Sequence, residues 1–153
     1  DSGAYASTTP LAAWRATVHM AGAYLYDAVN VDTYVIYTNA GYSGAFRGFG
    51  NTGATAIIEQ AIDELAHRLN IDPIEFRLKN ALKQGDRTMS GNIVDHSVGL
   101  SECLAWTRER SDWDLKRSEY RNSADAEGVS RGIGVACYFH GVGLGGQEFP
   151  VLN

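Results

Sequence analysis

Ser43-Gly44-Ala45-Phe46-Arg47-Gly48-Phe49-Gly50-Asn51-Thr52-Gly53 decides how the rest of this sequence reads. The stretch carries one cation and two rings among closely spaced glycines. It stands directly before the clearest amphipathic run in the chain. Ala54, Ile57, Ile58, Ala61, Ile62, Leu65, Ala66 and Leu69 recur at three- and four-residue steps, the period of one helix face. Asn51 or Thr52 is the expected cap of that helix. The loop admits two chemical readings. Gly48, Gly50 and Gly53 fit the G-x-G-x-x-G spacing of a dinucleotide-binding turn, with Asp72 downstream. In that turn, however, the first glycine closes the strand at once. Here Thr38 to Arg47 separate the preceding β-like segment from Gly48, and the ring of Phe49 sits where backbone should meet pyrophosphate.

The other reading takes Phe46-Arg47-Gly48-Phe49-Gly50 as the unit. A guanidinium in a glycine loop ahead of a helix N-terminus suits a phosphate or other oxyanion, because free backbone N–H groups and the helix dipole favour negative charge there. Phe49 could then stack on a flat aromatic ligand. The plain alternative makes Phe49 ordinary core and pairs Arg47 with a surface carboxylate.

Outward from the loop, Leu11, Trp14 and Val18 share one helical face, and Pro10 suits a first turn, so a helix is expected over about 10–22. Val31–Tyr37 is β-branched and aromatic and reads as a strand. Asp72-Pro73-Ile74-Glu75 starts another helix, with Asp72 as cap, Pro73 in the first position and Glu75 able to complete a capping box; it ends near Leu82. A further helix is expected from Leu100 to about Trp113, polar loop over 115–128, and a buried strand at Ile133–Phe139. The fold class is α+β. Glu59, Glu64 and Glu75 lie on amphipathic helices and read as solvated or capping carboxylates.

The 153 residues suffice for one domain with a core, and 44% hydrophobic with 20% charged residues is globular composition. A net charge of −5 without a basic run makes nucleic acid a poor partner. No apolar run approaches the roughly 18 residues of a membrane span, and no secretory signal is visible. Cys103 and Cys137 are isolated, without metal-ligand or disulfide spacing, as in a reduced, cytoplasmic protein. The chain opens at Asp1 and reads as a segment of something longer. Its 17 glycines concentrate at Gly41–Gly53 and Gly132–Gly146, which points to loops that approach a ligand closely.

Taken together in order, several segments resemble the large subunits of the molybdenum hydroxylases, the xanthine dehydrogenases and aldehyde oxidases. They are Asp1-Ser2-Gly3-Ala4-Tyr5, Tyr37-Thr38-Asn39, Ala45-Phe46-Arg47-Gly48-Phe49-Gly50, Ala61-Ile62-Asp63-Glu64-Leu65-Ala66, Pro73-Ile74-Glu75-Phe76-Arg77-Leu78-Lys79-Asn80, Glu102-Cys103-Leu104 and Arg131-Gly132-Ile133-Gly134. The resemblance spans nearly the whole chain and implies that residues 1–153 are a partial molybdopterin-binding domain. It implies that Arg47, with Gly48, lies at the molybdopterin cofactor and that Phe49 stacks on the substrate heterocycle. Arg15, in Arg15-Ala16-Thr17-Val18-His19-Met20-Ala21-Gly22-Ala23-Tyr24, is similar to an arginine of xanthine dehydrogenases that contacts the purine. The plain alternative is a surface helix charge. Where xanthine-oxidising members carry a threonine near the substrate, this chain has Gly145, and Tyr138–Gly146 is more like bacterial members of broad specificity. His140 reads as a hydrogen-bonded structural histidine.

The implied activity is hydroxylation of an electron-poor carbon in a purine or related N-heterocycle. Electrons would leave through 2Fe–2S clusters, commonly to FAD, held with the remainder of the large subunit on other domains or subunits. The glutamate base of the resembled family falls outside this stretch, so no catalytic residue and no metal ligand is assigned, and the segment alone is expected to be inactive. An inert structural domain is the remaining alternative.

Overall fold

The computed structural model describes residues 1–5, 7–121 and 128–141. They form α1 (Thr9–Val18), α2 (Asn51–Arg68), α3 (Pro73–Asn80), α4 (Leu100–Arg110) and α5 (Trp113–Tyr120), each packed on the next. The shared core holds Tyr24, Ile62, Ile74, Leu104, Trp113 and Cys137, with Ile58, Phe76, Leu100 and Val135 partly buried against it.

Helix α1 stops at Val18, short of the expected 22. The reason is local: the His19 ring takes the Arg15 carbonyl at 2.8 Å, and the His19 amide turns to Ala16 instead at 3.2 Å. Helix α2 has the expected length but a different buried face. Ala54, Ile62 and Ala66 are buried, whereas Ile57, Leu65 and Leu69 are exposed. The sequence stripe merges two adjacent apolar rows, and α1 and α3 cover only one of them. Glu59 falls on the covered row and is 5% exposed, so its reading as a solvated carboxylate is corrected. Nor do Asn51 and Thr52 cap α2. The cap position is Gly50, in the left-handed region at φ +88°, and Asn51 is the first helical residue.

Asp72 caps α3 as expected, accepting from the amides of Ile74 at 2.9 Å and Glu75 at 3.3 Å. Its second oxygen takes the Trp113 indole N–H at 2.9 Å, which ties α3 to α5. Glu75 pairs with Arg108 of α4 rather than closing a capping box. The helix expected over Leu100–Trp113 breaks at Asp112, whose φ of +53° turns the chain, and α5 replaces the loop expected from residue 115.

The α+β reading holds as helices packed with long extended segments. Strand pairing among the described residues takes the form of isolated bridges, among them Gly3 with Tyr37, Tyr24 with Ala81 and Arg87 with Ile93. Val31–Tyr37 and Ile133–Phe139 are thus extended chain without a ladder, and most of Val31–Tyr37 faces solvent. Their β-branched composition sets the backbone preference, but a strand also needs a neighbour for its hydrogen bonds.

Candidate functional site

Arg15 is 2% exposed, which removes the surface-charge alternative. Its Nη2 donates to the Gly141 carbonyl and lies 3.3 Å from His140 Nε2. Nε and Nη1 are buried without a partner among the described residues. Burying unpaired donors costs about 1–3 kcal/mol each, and more on a charged group, so these two atoms call for an acceptor. Beside them, His19 Nδ1 contacts the Arg15 carbonyl at 2.8 Å, and His19 Nε2 accepts from the Gly141 amide at 3.0 Å. Burial lowers the His19 pKa from its ordinary value, and the positive charge of Arg15 acts in the same direction against the hydrogen bond to the Arg15 carbonyl.

Asn51, fully buried, connects this cluster to the glycine loop. Its Nδ2 donates to the Phe139 carbonyl and lies 3.1 Å from His140 Nδ1, while its Oδ1 accepts from Thr55 at 3.3 Å. Tyr138 stacks on the His140 ring at 5.9 Å, which leaves His140 hydrogen-bonded as the sequence suggests. Gly145 lies outside the described residues.

The loop itself is unusual in backbone. Arg47, Gly48, Phe49 and Gly50 have φ of +23°, +100°, +53° and +88°. Two of the four are not glycine, and such residues persist only where the surroundings fix them. Thr52 Oγ1 donates to the Arg47 carbonyl at 3.1 Å, and the Asn51 amide donates to Gly48 at 3.0 Å. A Cβ at Gly48 would stand 2.4 Å from Thr52 Oγ1, and one at Gly50 would stand 2.2 Å from the Ala12 carbonyl. The second contact presses the loop onto α1, one turn from Arg15. Among the described residues the amides of Gly48, Phe49 and Gly50, ahead of the α2 N-terminus, make no hydrogen bond. Arg47 is exposed, with Phe46 5.8 Å from its guanidinium. Phe49 is half-buried. Gly53 lies inside α2 with open space at its Cβ position and no positive φ, so the third glycine of the dinucleotide spacing answers no backbone need here.

A cavity of about 820 Å³ opens beside the cluster. His19, His140 and Gly141 line it, together with Val18, Leu100 and Phe139. Arg15, Arg47 and Phe49 do not line it. Among the described residues no set of His, Cys, Asp and Glu is grouped to hold a metal ion.

One further cluster escaped the sequence reading. Glu59 Oε2 accepts from Arg77 Nε at 3.0 Å, Arg77 Nη2 at 2.9 Å and the Cys137 amide at 2.9 Å, and Oε1 accepts from the Tyr24 hydroxyl at 2.6 Å. Asp63 takes Arg77 Nη1 at 2.7 Å. Burial and the Glu59 hydrogen bond push the Tyr24 hydroxyl well above the ordinary phenol range. Burial opposes the charge on Arg77, yet its bonds to Asp63 and Glu59 hold it firmly protonated. This network pins the 133–141 segment three residues before His140. The Arg15–His19 spacing was visible in the sequence; their partners, more than a hundred residues on, were not.

The geometry sets a strained glycine loop against a helix that carries a buried arginine with two guanidinium nitrogens unpartnered among the described residues. The chain belongs to the molybdopterin cofactor-binding domain family, whose model matches residues 1–81 and so spans α1, the glycine loop, α2 and α3. The nicotinate dehydrogenase large molybdopterin subunit of Eubacterium barkeri is 44% identical over 111 residues, which are 72% of this chain and 26% of that subunit. The putative xanthine dehydrogenase molybdenum-binding subunit of Escherichia coli is 38% identical over 119 residues, 76% of this chain and 15% of that protein. Among solved structures, the aldehyde oxidoreductase of Desulfovibrio desulfuricans superposes with a TM-score of 0.72 at 30% identity, covering 81% of this chain and 14% of that one. The chain thus spans between 14% and 26% of the length of these relatives.

Proposed function

We propose that this chain is the part of a molybdenum hydroxylase large subunit that cradles the molybdopterin cofactor and orients an N-heterocyclic substrate of the purine type. One observation carries the substrate half: Arg15 is buried with two guanidinium nitrogens unpartnered among the described residues. The relatives named for nicotinate and xanthine both take electron-poor N-heterocycles by their names, which supports the same class. The strained loop fits the cofactor half. The amides of Gly48, Phe49 and Gly50, without a hydrogen bond among the described residues, and the exposed Arg47 suit an anionic group, and a side chain at Gly48 would collide with Thr52.

When bound, the molybdenum cofactor supplies the two-electron oxidation that hydroxylation of a ring carbon requires. The residues of this chain bind and orient. Arg47 and the loop amides hold an oxyanion of the cofactor. Phe49 offers a ring face that fixes the plane of the heterocycle. Arg15 donates to a ring oxygen or nitrogen and stabilises the negative charge that grows on the ring. Glu59, Glu64 and Glu75 are not placed as a base, since Glu59 is spent on Arg77, Glu64 pairs with Arg68 and Glu75 with Arg108. The base, the 2Fe–2S clusters and FAD belong on this reading to the remainder of the subunit and to other domains or subunits, in a cytoplasmic enzyme.

Arg15→Met in the intact subunit tests the reading. The efficiency on hypoxanthine should fall about 100-fold, the size of losing an oxyanion donor, while an aliphatic aldehyde changes only a few-fold. Equal losses on both substrates at unchanged molybdenum content would refute the purine assignment.

A further inference from the structure

We propose that His19 is the positioning residue for Arg15, acting as the neutral imidazole with its proton on Nδ1 to hold the guanidinium with two donors free for the ligand. The inference rests on the reading of Arg15 as a substrate residue. It comes from a closed ring of three hydrogen bonds. The Gly141 amide can only donate, so His19 Nε2, 3.0 Å away, must accept. The proton of the neutral ring is then on Nδ1, where it donates to the Arg15 carbonyl at 2.8 Å. The Gly141 carbonyl in turn accepts from Arg15 Nη2 and closes the ring. Arg15 therefore fixes its own guanidinium through a histidine four residues on and a backbone group 126 residues away.

The ring explains why Nη2 is satisfied, while Nε and Nη1 have no partner among the described residues. The chain path at Gly141 is set from the other side by Asn51, which holds the Phe139 carbonyl. Both anchors are buried, His19 at 3% and Asn51 at 0% exposure, so neither exchanges its bond with solvent. Among the described residues the titratable groups facing His19 are Arg15 and His140, whose ring centroid is 5.7 Å away; the Phe139 ring stands at 5.4 Å. A second proton on His19 would set N–H against the Gly141 N–H, between two donors, and would add charge beside Arg15. Burial and those neighbours keep the ring neutral. In this state the guanidinium cannot swing to follow the ligand.

The test uses the intact, cofactor-loaded subunit with Arg15→Met, His19→Asn, His19→Gln and the double variant R15M/H19N, at matched molybdenum content. A Gln oxygen reaches the Nε2 position and can accept from Gly141; an Asn amide replaces only Nδ1. H19N should lower efficiency on hypoxanthine about 100-fold, the scale expected when a positioned group shifts by roughly 1 Å, and leave an aliphatic aldehyde within a few-fold. H19Q should restore most of the loss. The double variant should be no worse than R15M alone, as expected of residues acting as one unit. Calorimetric binding of hypoxanthine should weaken in H19N and recover in H19Q, a readout that does not depend on turnover. The proposal is overturned if R15M collapses the hypoxanthine-to-aldehyde ratio while H19N leaves it unchanged, if the two losses multiply, or if H19N lowers both substrates equally with a lower unfolding temperature. An R15M variant with an unchanged ratio would instead strike the underlying Arg15 reading, and the inference with it.

Discussion

Replacing Glu59 should unfold the chain more readily than any change at an exposed carboxylate. Glu59→Ala strands the Arg77 guanidinium, whose side chain is 0% exposed, with Asp63, itself 47% exposed, as its remaining carboxylate. It also removes the acceptor of the Cys137 amide and of the Tyr24 hydroxyl. Removing one partner of a buried ion pair costs about 3–5 kcal/mol, because the other charge stays desolvated. With a urea slope of about 2 kcal/mol per molar, the midpoint should fall by about 1.5–2.5 M. Glu59→Gln separates charge from hydrogen bonding. Its amide oxygen can still face Arg77 and Cys137, and the Tyr24 hydroxyl can turn to accept from the amide nitrogen. Its cost should be smaller, about 1–2 kcal/mol, the part owed to charge-assisted bonds. Urea denaturation of the parent and both variants decides the matter. An alanine cost below about 1 kcal/mol would show that the pair is not the buried anchor described here, since exposed pairs contribute at that level. Equal costs for the two substitutions would show that charge alone, not the shared acceptor, holds the 133–141 segment.

Arg47→Ala in the intact subunit should weaken cofactor retention by about 1.5–3 kcal/mol, the worth of a hydrogen bond to a charged group, read as molybdenum content after dialysis; unchanged content would count against its role. The depressed pKa of His19 gives a pH dependence of definite sign. Above its ordinary value of 6.5 the ring is neutral folded or unfolded, and its contribution to stability is constant. As pH falls below 6.5 the unfolded chain takes up a proton that the folded chain refuses, so stability declines until the lowered folded pKa is passed. Unfolding midpoints of the parent relative to His19→Gln should show this decline, and a flat difference would refute it. Cys137 has the opposite sense: burial raises its thiol above the ordinary value of 9.0, so its contribution is present below pH 9 and is lost as pH rises beyond it, relative to Cys137→Ser.

Much of the local architecture was legible in the sequence, because it depends on neighbours a few residues apart. Asp72-Pro73 at the start of α3, the span of α2, and the anion-friendly glycine loop before it follow from capping, helical period and the conformational range of glycine. The ordered motifs at Ala45–Gly50 and Pro73–Asn80 carried the family. Tertiary structure alone decided which of two apolar rows on α2 is covered, and with it that Glu59 is a buried anchor rather than a solvated charge. It also decided that Val31–Tyr37 pairs, among the described residues, only through the single bridge of Tyr37 to Gly3, since a ladder is a property of two segments. The same holds at the site. The sequence named Arg15 and placed His19 one turn on, but their shared partner is the backbone of Gly141. Backbone amides and carbonyls are the same in every residue other than proline, so no pattern of side chains reveals which of them will meet a given histidine or arginine until the chain has folded.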